Sequence, residues 1–527
     1  MVILFFCMAF INTTVDSLKD TIVVTAAGSG PNVIPFLTVY GTLPAALLFL
    51  FLFSAASQWF DREQLFNGVV TVFVAFFTVF AWVLYPSHEH VHWYGVGESL
   101  RQALPAGLSG LVSMVQNWTF TLFYVAAELW GDIGLSLLFW GLANDITTHE
   151  EAPIIYPLFG VGANVAQVIA GRFLNSLGGV GSGAASFAVQ LKAILTTVAA
   201  MGVVVLIVHF YICRVSTSQL ESGGGSPREL PSPARKKAIS SKKKKLARKP
   251  SLSQAVRFLV NSPQIRCLAI MALAQGICTN LMDVAWKTHL RMLCPTPSEY
   301  ASFMGNVASM TGVVTGLLMV ASPILFKKIG WRGVAGATPW MLMVGGVPFF
   351  AAAVVYNIIG LQPLVSAAFL QVMVVVGALL YVVCRSAKFS LFKPAEEMVY
   401  IGLDEESRTK GKAAIDVVGA QTGKAMSSGL QQVLLLIGRG HLGVMLPFMA
   451  AAFVAFVLQW RNAVNNLAKH YMEPDIPEER DWLGMTIDEE LVGDESDKMD
   501  QFGAYARSDG TDGPDNLPGR RLPSTAS

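Results

Sequence analysis

The 527-residue chain is 53% hydrophobic and 14% charged, with a formal net charge of +2 and a mean hydropathy of +0.50. Soluble domains carry about a quarter charged residues; here the few charges are bunched between long apolar runs, which excludes a soluble globular protein. The runs are continuous rather than alternating, which excludes a β-barrel and predicts an all-α, polytopic membrane helix bundle. The net charge identifies no partner, because it averages a basic loop against an acidic tail, and nothing in it implies nucleic acid.

In chain order, residues 1–18 are apolar but lack a basic start, and Asp16, Lys19 and Asp20 stand where small cleavage-site residues would be. This stretch reads as a retained first membrane helix. Spans follow at 33–57 and 66–85, the former with Pro35 and Pro44, which membrane helices tolerate. Residues 104–129 and 131–146 read as two more, with Gly131 and Gly134 marking a break. A glycine-rich span at 154–173 and a last one at 188–215 complete the first half. A linker at 216–255 is rich in Ser, Pro and Lys, with nine Lys/Arg between Arg235 and Lys249. Spans at 265–286, 303–326, 336–359, 363–384, 411–437 and 442–460 make the second half, and a polar, mostly acidic tail occupies 461–527.

The expected organisation is therefore 11–12 transmembrane helices in two halves, 1–215 and 256–460, around a basic central loop. This is a major-facilitator-like layout, in which parallel repeats enclose a site. The basic loop should lie on the cytoplasmic or equivalent side, where it serves topology or contacts anionic lipid. Six cysteines, Cys7, Cys213, Cys267, Cys278, Cys294 and Cys384, lie in or beside apolar runs without metal-ligand spacing and read as small buried hydrophobes.

Four charges resist explanation as loop residues. Lys19 closes the first helix. Glu128 lies within the apolar stretch 118–147, among Phe123, Tyr124, Leu129 and Trp130. Asp283 closes the first helix of the second half in NLMDVAWK. Lys424 sits in GAQTGKAMSSGLQQ. A charge at the bilayer centre costs at least about 2.5–3.5 kcal/mol, so each should face a bundle interior or wet cavity. Plainer readings stay open. Lys19 and Asp283 lie near helix ends and could snorkel to the interface. Glu128 could be an interhelical hydrogen-bonding group, and Lys424 a structural ion-pair partner. Asp283 and Lys287, at i and i+4, could pair along their own helix.

Other motifs are weaker. GAQTGK at 419–424 is one residue short of a phosphate loop, with Ala425 where a hydroxyl is needed. The histidines of HEHVH, His88, His90 and His92, read as loop residues rather than metal ligands. Sequons at Asn12 and Asn117 fall in or against spans. No metal or cofactor is implied.

Several blocks carry a family resemblance: KDTIVVTAAGSGPNVIPFL from Lys19, FYVAAELWG from Phe123, LLFWGLANDIT from Leu137 and YPLFGVGANVA from Tyr156. In the second half they are NLMDVAWK from Asn280, FMGN from Phe303, SAKFSLFKPAEEMVYIGLDEESRTKGKAAIDVVG from Ser386 and GKAMSSGLQQ from Gly423. Over roughly residues 1–460 the chain resembles the nucleotide transporter family, the ATP/ADP antiporters of plastids and obligate intracellular bacteria. The resemblance implies a helix bundle exchanging nucleotides, in a plastid envelope or related membrane. It carries the family's Lys, Glu, Glu and Lys onto Lys19, Glu128, Asp283 and Lys424. Asp283 departs from the usual Glu, and AQTGKAMSS replaces a more glycine-rich segment.

A nucleotide carries several negative charges and a flat apolar base, so its site needs Lys or Arg, balancing carboxylates and aromatic faces. The expected function is a secondary transporter moving nucleotides, most simply ATP/ADP exchange by alternating access, and not an enzyme. Lys19 and Lys424 would hold phosphates, and Glu128 and Asp283 would balance them or carry coupling protons. Proton-coupled uptake, or uptake of a broader nucleotide set or NAD, is the alternative. An intramembrane enzyme would need a nucleophile constellation, and none is found. A scaffold or receptor would work through the tail.

Overall fold

The computed structural model describes residues 1–147, 152–178, 184–222, 263–359, 363–401, 420–440 and 442–472. The basic run and the acidic tail lie outside the described residues, as do 402–419. Among the described residues there is no strand, and nine helical runs are long and apolar enough to cross a membrane.

The first half holds α1 (Val2–Thr25), α2 (Pro31–Ala56), α3 (Arg62–Leu84), α4 (Trp118–Asn144), α5 (Ala152–Gly178) and α6 (Ala184–Ser222). The second starts with α7 (Pro263–Leu293). The run Pro297–Asn357 holds two passes, α8 (297–329) and α9 (331–357). They part at Gly330, whose φ of 66° lies in the left-handed region that glycine enters without a Cβ clash. Thr296 opens α8 by accepting from the Glu299 amide while Glu299 bonds back to Thr296, a reciprocal cap with Pro297 in the first turn. α10 (Ser366–Tyr400), α11 (Ala420–Ile437) and α12 (Val444–His470) complete the bundle.

The same packing plan appears twice. α1 packs on α4, α5 and α6, and α7 packs on α10, α11 and α12. α3 lies against α6 as α9 lies against α12. Each half thus has one central helix, and burial agrees: two-thirds or more of the apolar windows of α1 and α7 are buried (67% and 72%), against 17% in α2. Leu47, Phe51, Val203, Ile207, Leu317 and Val320 point outward, as hydrocarbon-facing side chains must.

Two element boundaries differ from the sequence reading. The expected break at Gly131 and Gly134 is absent; α4 runs on through a π-helical stretch, Trp130–Phe139. The break falls instead at Asn117 (φ −101°, ψ 48°). There the segment before α4 is pinned to the α1–α2 turn: Asn117 Nδ2 and Gln116 Nε2 both donate to the Ala27 carbonyl at 3.3 Å. Lys19 and Asp283 also do not close their helices, since α1 continues to Thr25 and α7 to Leu293.

The halves meet in two places. α5 and α8 approach so closely that a Cβ on Gly171 would lie 2.3 Å from the Gly305 carbonyl oxygen. α2 and α11 meet at the end away from the central loop, where Gln432 Nε2 donates to the Pro35 carbonyl at 3.0 Å. A Cβ on the nearby Gly107 would lie 2.5 Å from the Leu435 carbonyl oxygen, so this far end is shut.

Candidate functional site

On α1, Asp16, Lys19 and Asp20 stand at i, i+3 and i+4, which places them on one face. That face turns inward, and the Lys19 and Asp20 side chains are only 6% exposed. Lys19 Nζ donates to Asp16 Oδ1 and to Glu128 Oε1, the latter at 2.5 Å, and lies 5.3 Å above the Tyr124 ring. The second oxygen of Glu128 faces Lys424 Nζ at 3.8 Å. One carboxylate is therefore shared by two of the lysines singled out in the sequence. Lys424 reaches it because Gly276 and Gly423 let α7 and α11 touch backbone to backbone: a Cβ on Gly276 would meet Gly423 Cα at 3.2 Å.

Asp283 pairs along its own helix with Lys287 Nζ at 2.6 Å, as the i, i+4 spacing allows. Lys287 also donates across to Asp20 Oδ2 on α1, at 2.7 Å. Neither Lys19 nor Asp283 snorkels; both are spent on interior ion pairs. α10 adds Arg385, whose Nη2 reaches Asp16 Oδ2 at 3.2 Å while Nη1 donates to the Tyr381 hydroxyl.

The four sequence-selected residues thus fall into one network, with four partners that the selection passed over or read as local: Asp16, Asp20, Lys287 and Arg385. Four carboxylates face four cations. Around Lys19 the cations are in excess, with Arg385 and Lys424 joining it against Asp16 and Glu128. Around Lys287 the acids are in excess, and Asp20 Oδ1 and Asp283 Oδ1 are buried without a partner. Exposure rises along the network. The Asp20–Lys287 pair is about 5% exposed, Asp16 32%, Arg385 40% and Lys424 48%. Solvent therefore enters from the central-loop end and stops at the sealed Asp20–Lys287 pair.

The arrangement has charge without a nucleophile. A polyanion entering the cleft can take Lys424 and Arg385 from their carboxylates, because charge-assisted bonds to phosphate are as strong as those they replace. The HEHVH segment plays no part: its first four residues form a short helix, His88–Val91. His92 spends Nε2 on Thr119 Oγ1 at 2.6 Å. GAQTGK forms no phosphate loop, as its lysine is already helical. The cysteines are free thiols, with Cys7, Cys278 and Cys384 buried and the other three half-buried.

Comparison with known proteins places these residues in context. The family model for the TLC ATP/ADP transporter matches residues 1–471. The chain is 38% identical over 476 residues to ADP,ATP carrier protein 2, chloroplastic, of Arabidopsis thaliana, covering 88% of this chain and 73% of that one. It is 36% identical over 487 residues to ADP,ATP carrier protein 1 of Chlamydia trachomatis, covering 91% and 90%. Among solved structures, the nucleoside transporter NupG aligns at 12% identity and a TM-score of 0.48, over 88% of this chain and 98% of its own.

Proposed function

Because the chain belongs to the TLC ATP/ADP transporter family, we propose that it exchanges ATP for ADP across its membrane, by alternating access around the network of Lys19, Glu128, Asp283 and Lys424. It is an integral, multi-pass membrane carrier and not an enzyme. The observation that carries the reading is Glu128 shared between Lys19 and Lys424, one lysine from each half of the bundle. Phosphates take Lys424 first, since it is half exposed and held by one 3.8 Å contact. Lys19 follows when Glu128 is released. Tyr124 and Tyr381 are the aromatic faces nearest these charges. The plastid envelope is the proposed membrane, after the chloroplastic relative. The Lys-rich loop 235–249 is proposed to contact anionic lipid.

Labelled nucleotide uptake into proteoliposomes is the test. Uptake of ATP should require internal ADP or ATP, and adenosine should not be carried. Deleting 473–527 should leave uptake intact, where a tail-based scaffold would lose its function. The acid excess around Lys287 favours a second reading, proton-coupled uptake. Uptake into empty liposomes that follows an imposed proton gradient would select it over exchange.

A further inference from the structure

We propose that Lys388 is the residue that reads the number of phosphates on the nucleotide, acting with Lys424 as a pair of cations for the terminal phosphates. The proposal rests on the carrier reading above and deepens it.

Lys388 lies on α10 one turn beyond Arg385 and opens a π-helical stretch, Lys388–Phe392. Such wide turns inside helices recur at functional sites because they re-aim side chains. Its environment is unlike that of the other site cations. Lys19, Lys287, Arg385 and Lys424 each have a carboxylate within 4.0 Å. Lys388 has none among the described residues, although it is half-buried. The charges around it are Lys424, Arg385, Lys393 and Glu396. The one acid in that set is committed elsewhere, since Glu396 Oε2 accepts from Lys393 Nζ at 2.8 Å.

A lysine at membrane depth among like charges is unfavourable unless something negative compensates it. The protein supplies no such group. The cleft opens from the central-loop end, and on α10 and α11 Arg385, Lys388 and Lys424 form a cationic wall beside it. A nucleoside monophosphate brings enough charge for one of these groups. A di- or triphosphate spans further, and its extra charge is what Lys388 lacks.

The experiment is binding of AMP, ADP and ATP to purified full-length protein, comparing wild type, Lys388→Gln, Lys388→Arg and Lys393→Gln. Removing an uncompensated charge eases insertion, so Lys388→Gln should fold. Its affinity should fall about tenfold for ATP, less for ADP and little for AMP, about 1.4 kcal/mol for the tenfold step. Lys388→Arg should restore most of the ATP affinity, and Lys393→Gln, which removes a paired charge, should leave the ladder unchanged. An equal loss for all three nucleotides, or an arginine variant as weak as the glutamine one, would overturn the assignment. So would a wild-type ladder in Lys388→Gln. A wild type that binds no nucleotide would instead remove the carrier reading itself, and this assignment with it.

Discussion

Glu128 is one carboxylate with two lysines on it, and the amide of Glu128→Gln can hold neither charge. Lys19 would keep Asp16, but Lys424 would lose its ion pair with the first half. Transport should fall at least about tenfold at normal expression, because neutralisation makes insertion easier while removing the shared anion; wild-type rates would return Glu128 to a structural role. Asp283 tests charge against size. Asp283→Glu keeps a partner for Lys287 and should be tolerated, whereas Asp283→Asn leaves Lys287 with Asp20 alone and should transport more slowly. Exchange rates for the two variants decide it, and an Asn variant equal to wild type beside a crippled Glu variant would mean that volume governs. His92 gives a pH signature outside the spans. Burial, then its neighbour His88, pulls it down to about 4. An unfolded histidine titrates near ~6.5, so the unfolded state binds more protons between those values. Stability from this group is complete above about pH 6.5 and is lost as pH falls towards 4. The melting temperature should drop across that window, and less steeply in His92→Gln. The four charges legible in the sequence were isolated ones in apolar or small-residue surroundings. Asp16 and Asp20 were read only as the polar flank of the first helix, although their i, i+4 spacing around Lys19 marks one face. Arg385 follows the end of an expected span and passed for a boundary residue, because the helix continues into charges that face inward.

At the scale of elements, composition located the apolar runs but not the joints between them. Gly131 and Gly134 read as a break, yet they serve close packing: a Cβ on Gly131 would lie 2.8 Å from Asn12 Oδ1 on α1. The real break, at Asn117, is made by tertiary hydrogen bonds to Ala27 that no local pattern encodes. α5 and α8 show the same use of glycine. The added Cβ of Gly171→Ala would lie 2.3 Å from the Gly305 oxygen and 2.5 Å from the Ser309 amide, backbone atoms that cannot rotate away. Gly429 on α11 has nothing within 4 Å of that position. Gly171→Ala should therefore lower the melting temperature by about 2–4 °C or more. Gly429→Ala should hold or raise it, since alanine favours a helix by up to about 1 kcal/mol. Thermal melts of both purified variants check this, and a neutral Gly171→Ala would mean that α5 and α8 separate freely.

For the whole molecule, the distribution of charge between the halves sets what the empty carrier can do. Asp16, Asp20 and Glu128 against Lys19 leave the first half with two negative charges in the network. Lys287, Arg385 and Lys424 against Asp283 leave the second with two positive charges. The halves attract through three crossing pairs, strongest where water is excluded, at Asp20–Lys287. Opening the far end requires that pair to part. Each partner then keeps only neighbours in its own half, Asp283 for Lys287 and Lys19 near Asp20, so an empty carrier stays closed there. A nucleotide polyanion seated on the second half supplies the charge that the first half otherwise provides, and the halves can separate. Obligate exchange follows from this, because only a loaded carrier can turn. Asp20→Asn removes the sealed pair while leaving Lys287 its bond to Asp283. It should let the empty carrier turn, so that net ATP uptake into liposomes without internal nucleotide rises severalfold relative to exchange. If net uptake and exchange fall together in Asp20→Asn, the sealed pair serves substrate binding and does not hold the empty carrier shut.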